Sequence, residues 1–394
     1  MKILFVHEVS WFKKVVYEMH DFPELLSLRG HEVRFLDYDE GAPRTRFRTR
    51  TTPESRGHSG SRVYVTTPPR LLPGVLGRLL ATFLQPLSFL LLLRQTTPHV
   101  VVSYSVPTSG WQIAAICRFK RVPYVARIID VPHALRPTLF RPLVKWSERV
   151  TFRLSSLILT HNEVLRQYCL GQGASSEKTK VVYPGVDSRR FFPAPPDPQL
   201  QDRYGIVPSD KVIVFMGTLF SFSGLNELVE ELSHQLKANR QIKFLILGEG
   251  EQFQQLIETT RKFQLEAQVI LAGRIEYEQL ADHLRLGHVA MLPFKLNLVT
   301  HGALPNKVLQ YLASGLPVVC TSLRGLQSVL PNGEGVMYVN DLREMATVTV
   351  DLLANLELRR HVSEVGLNAM RQLCDWNTQI IEVERILESV VNAR

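Results

Sequence analysis

Two stretches of the sequence follow the same pattern, in which short runs of Val, Ile, Leu and Phe alternate with segments of helical spacing. The first stretch covers residues 2–129, and the second begins at Lys211. Strands that are apolar throughout and separated by helices are typical of parallel sheets with helices on both faces. The pattern therefore predicts two doubly wound α/β domains of the Rossmann type.

The predicted strands end close to glycine, proline or polar residues. In the first domain they are residues 2–7, 31–37, 98–104, 122–129 and 157–160, and in the second 212–216, 243–247, 268–271, 288–292 and 317–321. Helical spacing predicts helices over residues 12–28, 110–118, 225–236, 307–313 and 376–392.

Proline is concentrated between the two stretches, at Pro193, Pro195, Pro196 and Pro198. Proline-rich segments between patterned regions indicate linkers. We predict an N-terminal domain over residues 1–195, a C-terminal domain over 196–375 and a closing helix over 376–394. A chain of 394 residues is long enough for this division.

The composition excludes several classes of protein. Hydrophobic residues make up 45% of the chain and charged residues 21%, which is the profile of a globular protein. The four cysteines are far apart in sequence, which argues against a disulfide framework or a zinc site. The net charge of +9 favours anionic partners, but the sequence holds no nucleic-acid-binding motif, so we expect no nucleic-acid partner. The N-terminus is a strand rather than a signal peptide, so we expect a cytoplasmic protein.

Two segments interrupt the α/β pattern. Residues 41–62 carry six arginines, Arg44 among them, which predicts a mobile basic loop. This loop is either a solvated insertion or a contact for anionic lipid or phosphate. Residues 71–93 are strongly apolar, but Arg78, Gln85 and two prolines interrupt the run, so we predict no membrane-spanning helix. The segment is either a buried helix or a helix that lies in the membrane interface.

Five motifs, in order along the chain, resemble those of a known family. Residues 305–319, PNKVLQYLASGLPVV, closely resemble the donor-binding motif of family 4 glycosyltransferases. The segments VYPGVD (182–187), MGTLFSFSGL (216–225) and LGEG (247–250, followed by GR at 273–274) are similar to the family's interdomain signature and donor-domain turns. Residues 123–133, which end in Val131-Pro132-His133, are similar to the strand end that faces the acceptor.

The resemblance covers nearly the whole chain and implies a GT-B fold, in which two Rossmann-like domains form an interdomain cleft. It also implies transfer of a sugar from a nucleotide-sugar donor, with retention of anomeric configuration and without a metal ion or other cofactor. Together with the apolar run at residues 79–93, it leads us to expect a lipid-linked or cell-surface polysaccharide acceptor. The partners would then include an anionic membrane surface, with the protein peripheral at the inner face of the plasma membrane.

The expected donor-binding residues lie at strand ends and at one helix start. They are Gly217, Thr218, Ser223, Gly224, Gly248, Arg274, Lys295, His301, Leu304, Pro305, Asn306, Lys307 and Gln310. Glycine lets the backbone approach a diphosphate where a Cβ would block it. A helix start offers free N–H groups to an anion, and Lys307 adds a full positive charge.

The chain departs from the family pattern at four positions. Thr218 and Ser223 stand where the family usually has an Arg and a Lys that contact diphosphate. Gly302 and Gln310 stand where the family usually has two glutamates. Other groups must then hold the diphosphate, and the candidates are Lys307, Lys295, Arg274, His301 and the backbone N–H groups of residues 221–224.

On the acceptor side, Asp130 and His133 follow a predicted buried strand, where side chains emerge at the edge of a sheet. Either one can act as a general base or bind a sugar hydroxyl. Asp37-Tyr38-Asp39 has the spacing of a metal-binding Asp-x-Asp motif, but we interpret it as a strand-end turn and expect no metal site.

A Rossmann-like fold does not by itself fix the reaction, so three other functions are alternatives. The four departures are compatible with a binding or scaffold protein that kept the fold and lost catalysis. A sugar-nucleotide epimerase of the same fold class is a further alternative. A dinucleotide-dependent enzyme is disfavoured, because Gly248-Glu249-Gly250 lacks the third glycine of the fingerprint.

Overall fold

A computed structural model describes residues 1–39, 46–50, 53–72, 74–104, 107–131, 133 and 141–393. Arg44 and Pro132 lie outside the described residues. The chain divides into two compact units. Unit 1 comprises residues 1–184 and 377–394, and unit 2 comprises residues 185–376.

Unit 1 is built on a mainly parallel sheet, which has eight strands within the described residues. The strands are β1 (Lys2–His7), β2 (Glu32–Leu36), β3 (Arg48–Thr49), β4 (Val63–Thr67), β5 (Val100–Tyr104), β6 (Tyr124–Ile128), β7 (Leu157–Thr160) and β8 (Thr179–Val181). Their order across the sheet is β3-β4-β2-β1-β5-β6-β7-β8, and only β3 is antiparallel to its neighbour. The strand order reverses between β1 and β5.

The helices of unit 1 connect these strands. They are α1 (Glu18–Leu28), α2 (Gly74–Thr96), α3 (Gly110–Lys120), α4 (Arg141–Leu154) and α5 (Glu163–Gly171). One core cluster joins α2, α3 and the sheet through Phe89, Leu92, Ile113 and Val101, all of which are buried. Apolar side chains on both faces of the strands bury best between two helix layers, which accounts for the parallel topology.

Unit 2 contains a second parallel sheet, with six strands within the described part of the chain. They are β9 (Lys211–Met216), β10 (Ile242–Leu247), β11 (Val269–Gly273), β12 (Val289–Leu292), β13 (Val318–Thr321) and β14 (Val336–Val339), in the order β11-β10-β9-β12-β13-β14. The order reverses between β9 and β12. Ligands of doubly wound sheets bind at the carboxyl ends of the strands beside such a reversal.

The helices of unit 2 cover this sheet. They are α6 (Pro198–Tyr204), α7 (Leu225–Ala238), α8 (Phe253–Lys262), α9 (Leu280–Leu284), α10 (Leu298–His301), α11 (Asn306–Ala313), α12 (Arg324–Gln327), α13 (Leu342–Ala354) and α14 (Leu356–Leu373). The last helix, α15 (Trp376–Asn392), begins at the end of unit 2 and continues into unit 1.

The boundary between the units precedes the predicted one near residue 195. The backbone N–H of Val186 donates to the carbonyl of Cys374 at 2.7 Å, and Phe191 is buried against Tyr277. These contacts fix residues after Pro184 to unit 2. The predicted closing helix instead packs on unit 1, where Glu384 accepts hydrogen bonds from Arg29 at 2.7 Å and His31 at 2.6 Å.

Three local predictions need correction. Helix α1 begins at Glu18 rather than at residue 12, because Lys13, Lys14 and Val15 are exposed and Tyr17 is extended. The strand β4 was not predicted at all. Within the predicted basic loop, β3 pairs with β4, and Arg56 donates to the carbonyls of the segment that precedes α1. This part of the loop is therefore held by hydrogen bonds.

The four cysteines are free and buried, as their spacing predicted. Among the described residues, no helix combines the length and the apolar character needed to cross a bilayer.

Two glycines that precede β14 allow a controlled test of packing in unit 2. Both have a left-handed backbone, with φ of +86° at Gly333 and +83° at Gly335. A Cβ on Gly333 would meet nothing within 4 Å, whereas a Cβ on Gly335 would lie 2.4 Å from Gly366 Cα. We expect Gly333→Ala to cost about 1–2 kcal/mol of unfolding free energy from backbone strain alone. Gly335→Ala should cost about 1–3 kcal/mol more, because α14 must move. Urea unfolding of both variants measures the difference in unfolding free energy. Equal losses would show that α14 can move away from the added Cβ at no cost.

Candidate functional site

Glycines line the carboxyl ends of β9 and β10 in unit 2. Gly217 follows β9 with φ of +136°, and Gly248 follows β10 with φ of +147°. A Cβ on Gly248 would lie 2.0 Å from the carbonyl oxygen of Gly217. The two turns therefore pack backbone against backbone, which requires glycine at this position.

Gly224 brings a helix start to the same edge of the sheet. It is the N-cap of α7 in the left-handed region, with φ of +68°. A Cβ there would lie 2.1 Å from the carbonyl oxygen of Pro293, which follows β12. The first N–H groups of α7 thus lie beside the reversal of strand order, where they can donate to an anion.

Lys307 occupies the space that Gly217 leaves open. A Cβ on Gly217 would lie 2.2 Å from Lys307 Nζ. The ammonium lies 4.7 Å from the ring centroid of Phe215 and 5.0 Å from that of Phe294, in cation–π geometry. No carboxylate of the described residues forms an ion pair with it. Burial lowers the pKa of Lys307 to about 7.

Helix α11 carries Lys307 and is anchored to β9. Tyr311 lies one turn after Lys307, and its hydroxyl accepts a hydrogen bond from the backbone N–H of Met216 at 2.6 Å. The helix begins at Asn306 with Pro305 as its N-cap, and no side chain caps it. Pro305, Asn306 and Lys307 are therefore presented together at the strand ends.

Several predicted donor residues have other roles in the structure. Ser223 is buried, and its hydroxyl donates to the carbonyl of Thr218 at 3.3 Å and accepts from Phe220 N–H at 3.1 Å. It therefore closes the loop after β9 from within. Lys295 forms an exposed ion pair with Glu227, and Arg274 lies 3.5 Å from Glu276 in an exposed pair. Both cations are partly compensated by their own unit.

The remaining predicted donor residues surround α11 or the loop after β9. Leu304 is buried, and His301 is half-buried at the end of α10. Thr218 is exposed, and Gln310 is half-buried on α11. Among the predicted cations, only Lys307 lies against the glycine turns described above.

In unit 1, Asp130 follows β6 beside a buried ionic cluster. Glu18 accepts two hydrogen bonds from Arg127, each at 2.7 Å, and one from His161 Nε2 at 2.7 Å. Burial alone would raise the pKa of Glu18, but Arg127 and His161 outweigh burial and hold it at about 2. Burial also raises the pKa of Asp130, although His161 opposes the shift.

The second predicted acceptor residue, His133, is oriented by α4 and α5. Its Nδ1 lies 3.2 Å from Glu148 and 2.9 Å from the Tyr168 hydroxyl, while its backbone N–H donates to Glu148 at 2.9 Å. Tyr168 also donates to Glu148. A carboxylate on one ring nitrogen fixes the orientation of the imidazole.

The residues around these two groups were not predicted from the sequence. Glu148 and Tyr168 contact His133, and the cluster of Glu18, Arg127 and His161 lies near Asp130. One signal was available, because Glu148 is the single acidic residue in the basic segment that forms α4. An acid in such a segment is commonly paired and buried. The cluster around Glu18 joins three distant parts of the chain, so no spacing in the sequence indicates it.

Two family models match the chain. Residues 19–190 match the model described as Glycosyltransferase Family 4, and residues 210–355 match the one described as Glycosyl transferases group 1. The first lies almost entirely in unit 1, and the second lies in unit 2.

Curated proteins with similar sequences include glycosyltransferases. The chain is 22% identical over 286 residues to N-acetyl-alpha-D-glucosaminyl L-malate synthase from Bacillus anthracis. The aligned residues cover 69% of each protein. The first curated relatives are matched over 61–69% of their own length.

Solved structures show the same fold. Sucrose-phosphate synthase from Thermosynechococcus elongatus has a TM-score of 0.81 at 14% identity, with both chains covered completely. The Anabaena protein HepE in complex with UDP has a TM-score of 0.75 at 15% identity and covers 99% of this chain and 100% of its own. These similarities confirm the predicted GT-B fold.

The ionic cluster in unit 1 gives a prediction about stability. Arg127→Met leaves Glu18 buried, with the His161 imidazole as its remaining side-chain partner among the described residues, so we expect a loss of about 3–5 kcal/mol of unfolding free energy. The double variant Glu18→Gln/Arg127→Met removes both charges and should recover a large part of that loss. Chemical denaturation of the two single variants and the double variant measures the coupling. Additive losses would show that the pair does not act as a unit.

Proposed function

The chain belongs to the glycosyltransferases of family 4 and group 1, and from this we propose that it transfers a hexosyl group from a nucleotide-sugar donor. The observation that carries the proposal is Lys307, an ammonium that lies against the Gly217 turn and has no carboxylate partner among the described residues. A partly buried cation is stabilised when an anion binds beside it. A nucleotide diphosphate has the charge to do so.

We propose that unit 2 holds the donor diphosphate at the reversal of strand order. Lys307 supplies the full charge, and the backbone N–H groups at the start of α7 supply hydrogen bonds. Gly217 and Gly248 allow the diphosphate to approach the backbone. The related fold of HepE in complex with UDP supports a nucleotide diphosphate as the ligand.

The proposed reaction retains the anomeric configuration and uses no metal ion. The bond from the anomeric carbon to the diphosphate oxygen breaks, and a bond to the acceptor hydroxyl oxygen forms on the same face. The hydroxyl proton passes to the departing diphosphate. Lys307 stabilises the negative charge that develops on the diphosphate, because a fixed cation in a partly buried site needs little rearrangement.

We propose that Asp130 and His133 act on the acceptor side. Glu148 and Tyr168 hold His133 by Nδ1, so that Nε2 can bind an acceptor hydroxyl. The proposed acceptor is a lipid-linked or cell-surface polysaccharide precursor at the inner face of the plasma membrane. The exposed apolar side chains of α2, such as Phe83 and Leu87, support an acceptor that is anchored in a membrane.

A catalytically impaired binding protein is the second candidate function. Thr218, Gly302 and Gln310 are uncharged where the family usually has charge, and Ser223 is used inside its loop. An epimerase acting on a nucleotide sugar would share the donor site. Both alternatives predict nucleotide binding, and only transfer of the sugar to an acceptor separates the transferase from them.

The first prediction from this proposal concerns nucleotide binding. We expect the purified full chain to be stabilised by one of UDP, GDP, ADP and dTDP in a thermal-shift panel. A ligand at about 100 times its dissociation constant adds about 2.7 kcal/mol of unfolding free energy. The matching nucleotide sugar should then be consumed with release of the diphosphate when an acceptor is present.

The outcomes separate the candidate functions. Binding without transfer to any acceptor lipid would favour the binding protein, and conversion of the sugar without an acceptor would favour the epimerase. If wild type binds without turnover but Ser223→Lys/Gln310→Glu restores it, the departures from the family pattern have removed catalysis. No stabilisation by any of the four nucleotides would contradict donor binding itself.

A second prediction sets stability against binding at Lys307. Lys307→Met removes a desolvated charge, so we expect the free protein to be at least as stable as wild type at pH 6. The pKa of Lys307 is lower in the folded than in the unfolded chain. The penalty is therefore complete below pH 7 and fades as the pH rises toward the unfolded value. Nucleotide affinity should instead fall by roughly 10- to 150-fold, as for a lost charged hydrogen bond.

The matched control is Lys262→Met. Lys262 also lies over an aromatic ring, that of Phe263 at 5.0 Å, but it is exposed on α8. This variant should change neither nucleotide affinity nor stability by more than a small amount. A Lys307→Met protein that is destabilised yet binds nucleotide normally would assign Lys307 a structural role.

A further inference from the structure

Helix α2 of unit 1 is apolar on its exposed face as well as on the face that packs into the core. The outer face presents Leu76, Phe83, Leu87 and Leu91, whose exposed fractions are 66%, 74%, 54% and 43%. Their spacing of seven, four and four residues places them on one side of the helix. A helix that is apolar on its outer face normally has a partner there.

The inner face of α2 also holds three buried polar side chains. Gln85 is buried and accepts a hydrogen bond from the Ser109 hydroxyl at 2.5 Å. Ser88 and Thr96 are also buried, and each donates to a backbone carbonyl of its own helix at 2.8 Å. The bond from Ser109, together with the burial of Phe89 and Leu92 in the core, fixes the rotation of α2 about its axis, so Phe83 and Leu87 remain outward.

The neighbouring helices add apolar and basic groups. Phe119 on α3 and Leu143 and Trp146 on α4 are exposed by 82%, 63% and 47%. The described side chains of α2, α3 and α4 include one acidic residue, Glu148, which is buried. The exposed basic residues on or directly after these helices are Arg94, Arg118, Lys120, Arg121, Arg141, Arg149 and Arg153.

Charge decides which partner fits this surface. A second copy of the chain would bring the same cations face to face without exposed acids on these helices to pair with them. A bilayer with anionic headgroups offers negative charge beside an apolar interior, which matches cations that flank apolar side chains. We propose that the outer face of α2 inserts into an anionic lipid bilayer while basic residues of α3 and α4 contact the headgroups.

This inference deepens the proposed function and rests on it for its purpose, since it names the surface that would hold the enzyme beside a membrane-anchored acceptor. Lipid binding itself does not require sugar transfer. A failure of lipid binding is therefore distinguishable from a failure of donor binding, which the nucleotide panel measures separately.

The experiment is flotation of the full chain with vesicles of two compositions. One contains phosphatidylcholine with about 30% phosphatidylglycerol, and the other contains phosphatidylcholine alone. At about 0.1 M salt we expect the protein to float with the anionic vesicles. At about 1 M salt, where exposed charges are screened, the bound fraction should fall severalfold. Protein that stays at the bottom with anionic vesicles at low salt overturns the proposal.

Variants separate the apolar from the charged contribution. Phe83→Ser and Leu87→Ser should each weaken anionic vesicle binding roughly tenfold, because each removes an apolar side chain from the inserted face. Arg118→Glu/Lys120→Glu should weaken binding by a similar factor at low salt and have little effect at high salt. The matched control is Leu356→Ser on unit 2, which removes a leucine of similar exposure, 46%, and should leave binding unchanged.

Tryptophan fluorescence gives an independent readout. Trp11 and Trp376 are buried, whereas Trp146 is 47% exposed and packs against Trp111 at 5.2 Å between ring centroids. Anionic vesicles should shift the emission to the blue, and Trp146→Phe should remove most of the shift. A dimer in light scattering that Phe83→Ser dissociates, together with no vesicle binding, would assign the surface to a second copy and overturn the proposal.

Discussion

An ammonium held over two aromatic rings, with no carboxylate partner in the described part of the chain, is the constraint on which the proposed donor site depends. Lys307 lies over Phe215 and Phe294, which are at the ends of neighbouring strands, and Gly217 provides the space for it. Cation–π contacts offset only part of the cost of removing the charge from water. The position is thus favourable when an anion binds and unfavourable when none does, which is the behaviour expected of a binding residue rather than a structural one.

In unit 1, the buried carboxylates of Glu18 and Glu148 have hydrogen-bonding partners. Glu18 is fully compensated by Arg127 and His161, and the carboxylate of Glu148 is shared between His133 and Tyr168. These groups lie at the carboxyl edge of the sheet, and Glu148 and Tyr168 orient His133, one of the predicted acceptor residues. The contrast supports a division of tasks, with fixed orientation in unit 1 and an uncompensated charge in unit 2.

The sequence predicted the sheets and the family because both depend on local patterns. Apolar runs determine the strands, and glycine or proline follows β9, β10 and β12 at Gly217, Gly248 and Pro293. Roles that depend on contacts between distant residues could not be predicted. Ser223 matched a diphosphate position in the motif, but its hydroxyl is hydrogen-bonded to backbone groups of Thr218 and Phe220 in the same loop. Likewise, the apolar run before β5 gave no indication of which face of α2 is buried, because this depends on contacts with distant residues such as the hydrogen bond between Ser109 and Gln85.

Calorimetry of nucleotide binding at pH 8 tests the central claim most directly. At that pH an ammonium with a pKa of about 7 is about nine-tenths neutral, and binding of a diphosphate must recharge it. Titration with the tightest of UDP, GDP, ADP and dTDP, in two buffers of different ionisation enthalpy, reports the protons taken up. We predict uptake of most of one proton by wild type and none by Lys307→Arg, whose guanidinium is always charged. Tight binding with the same proton uptake in both proteins would show that Lys307 does not hold the diphosphate.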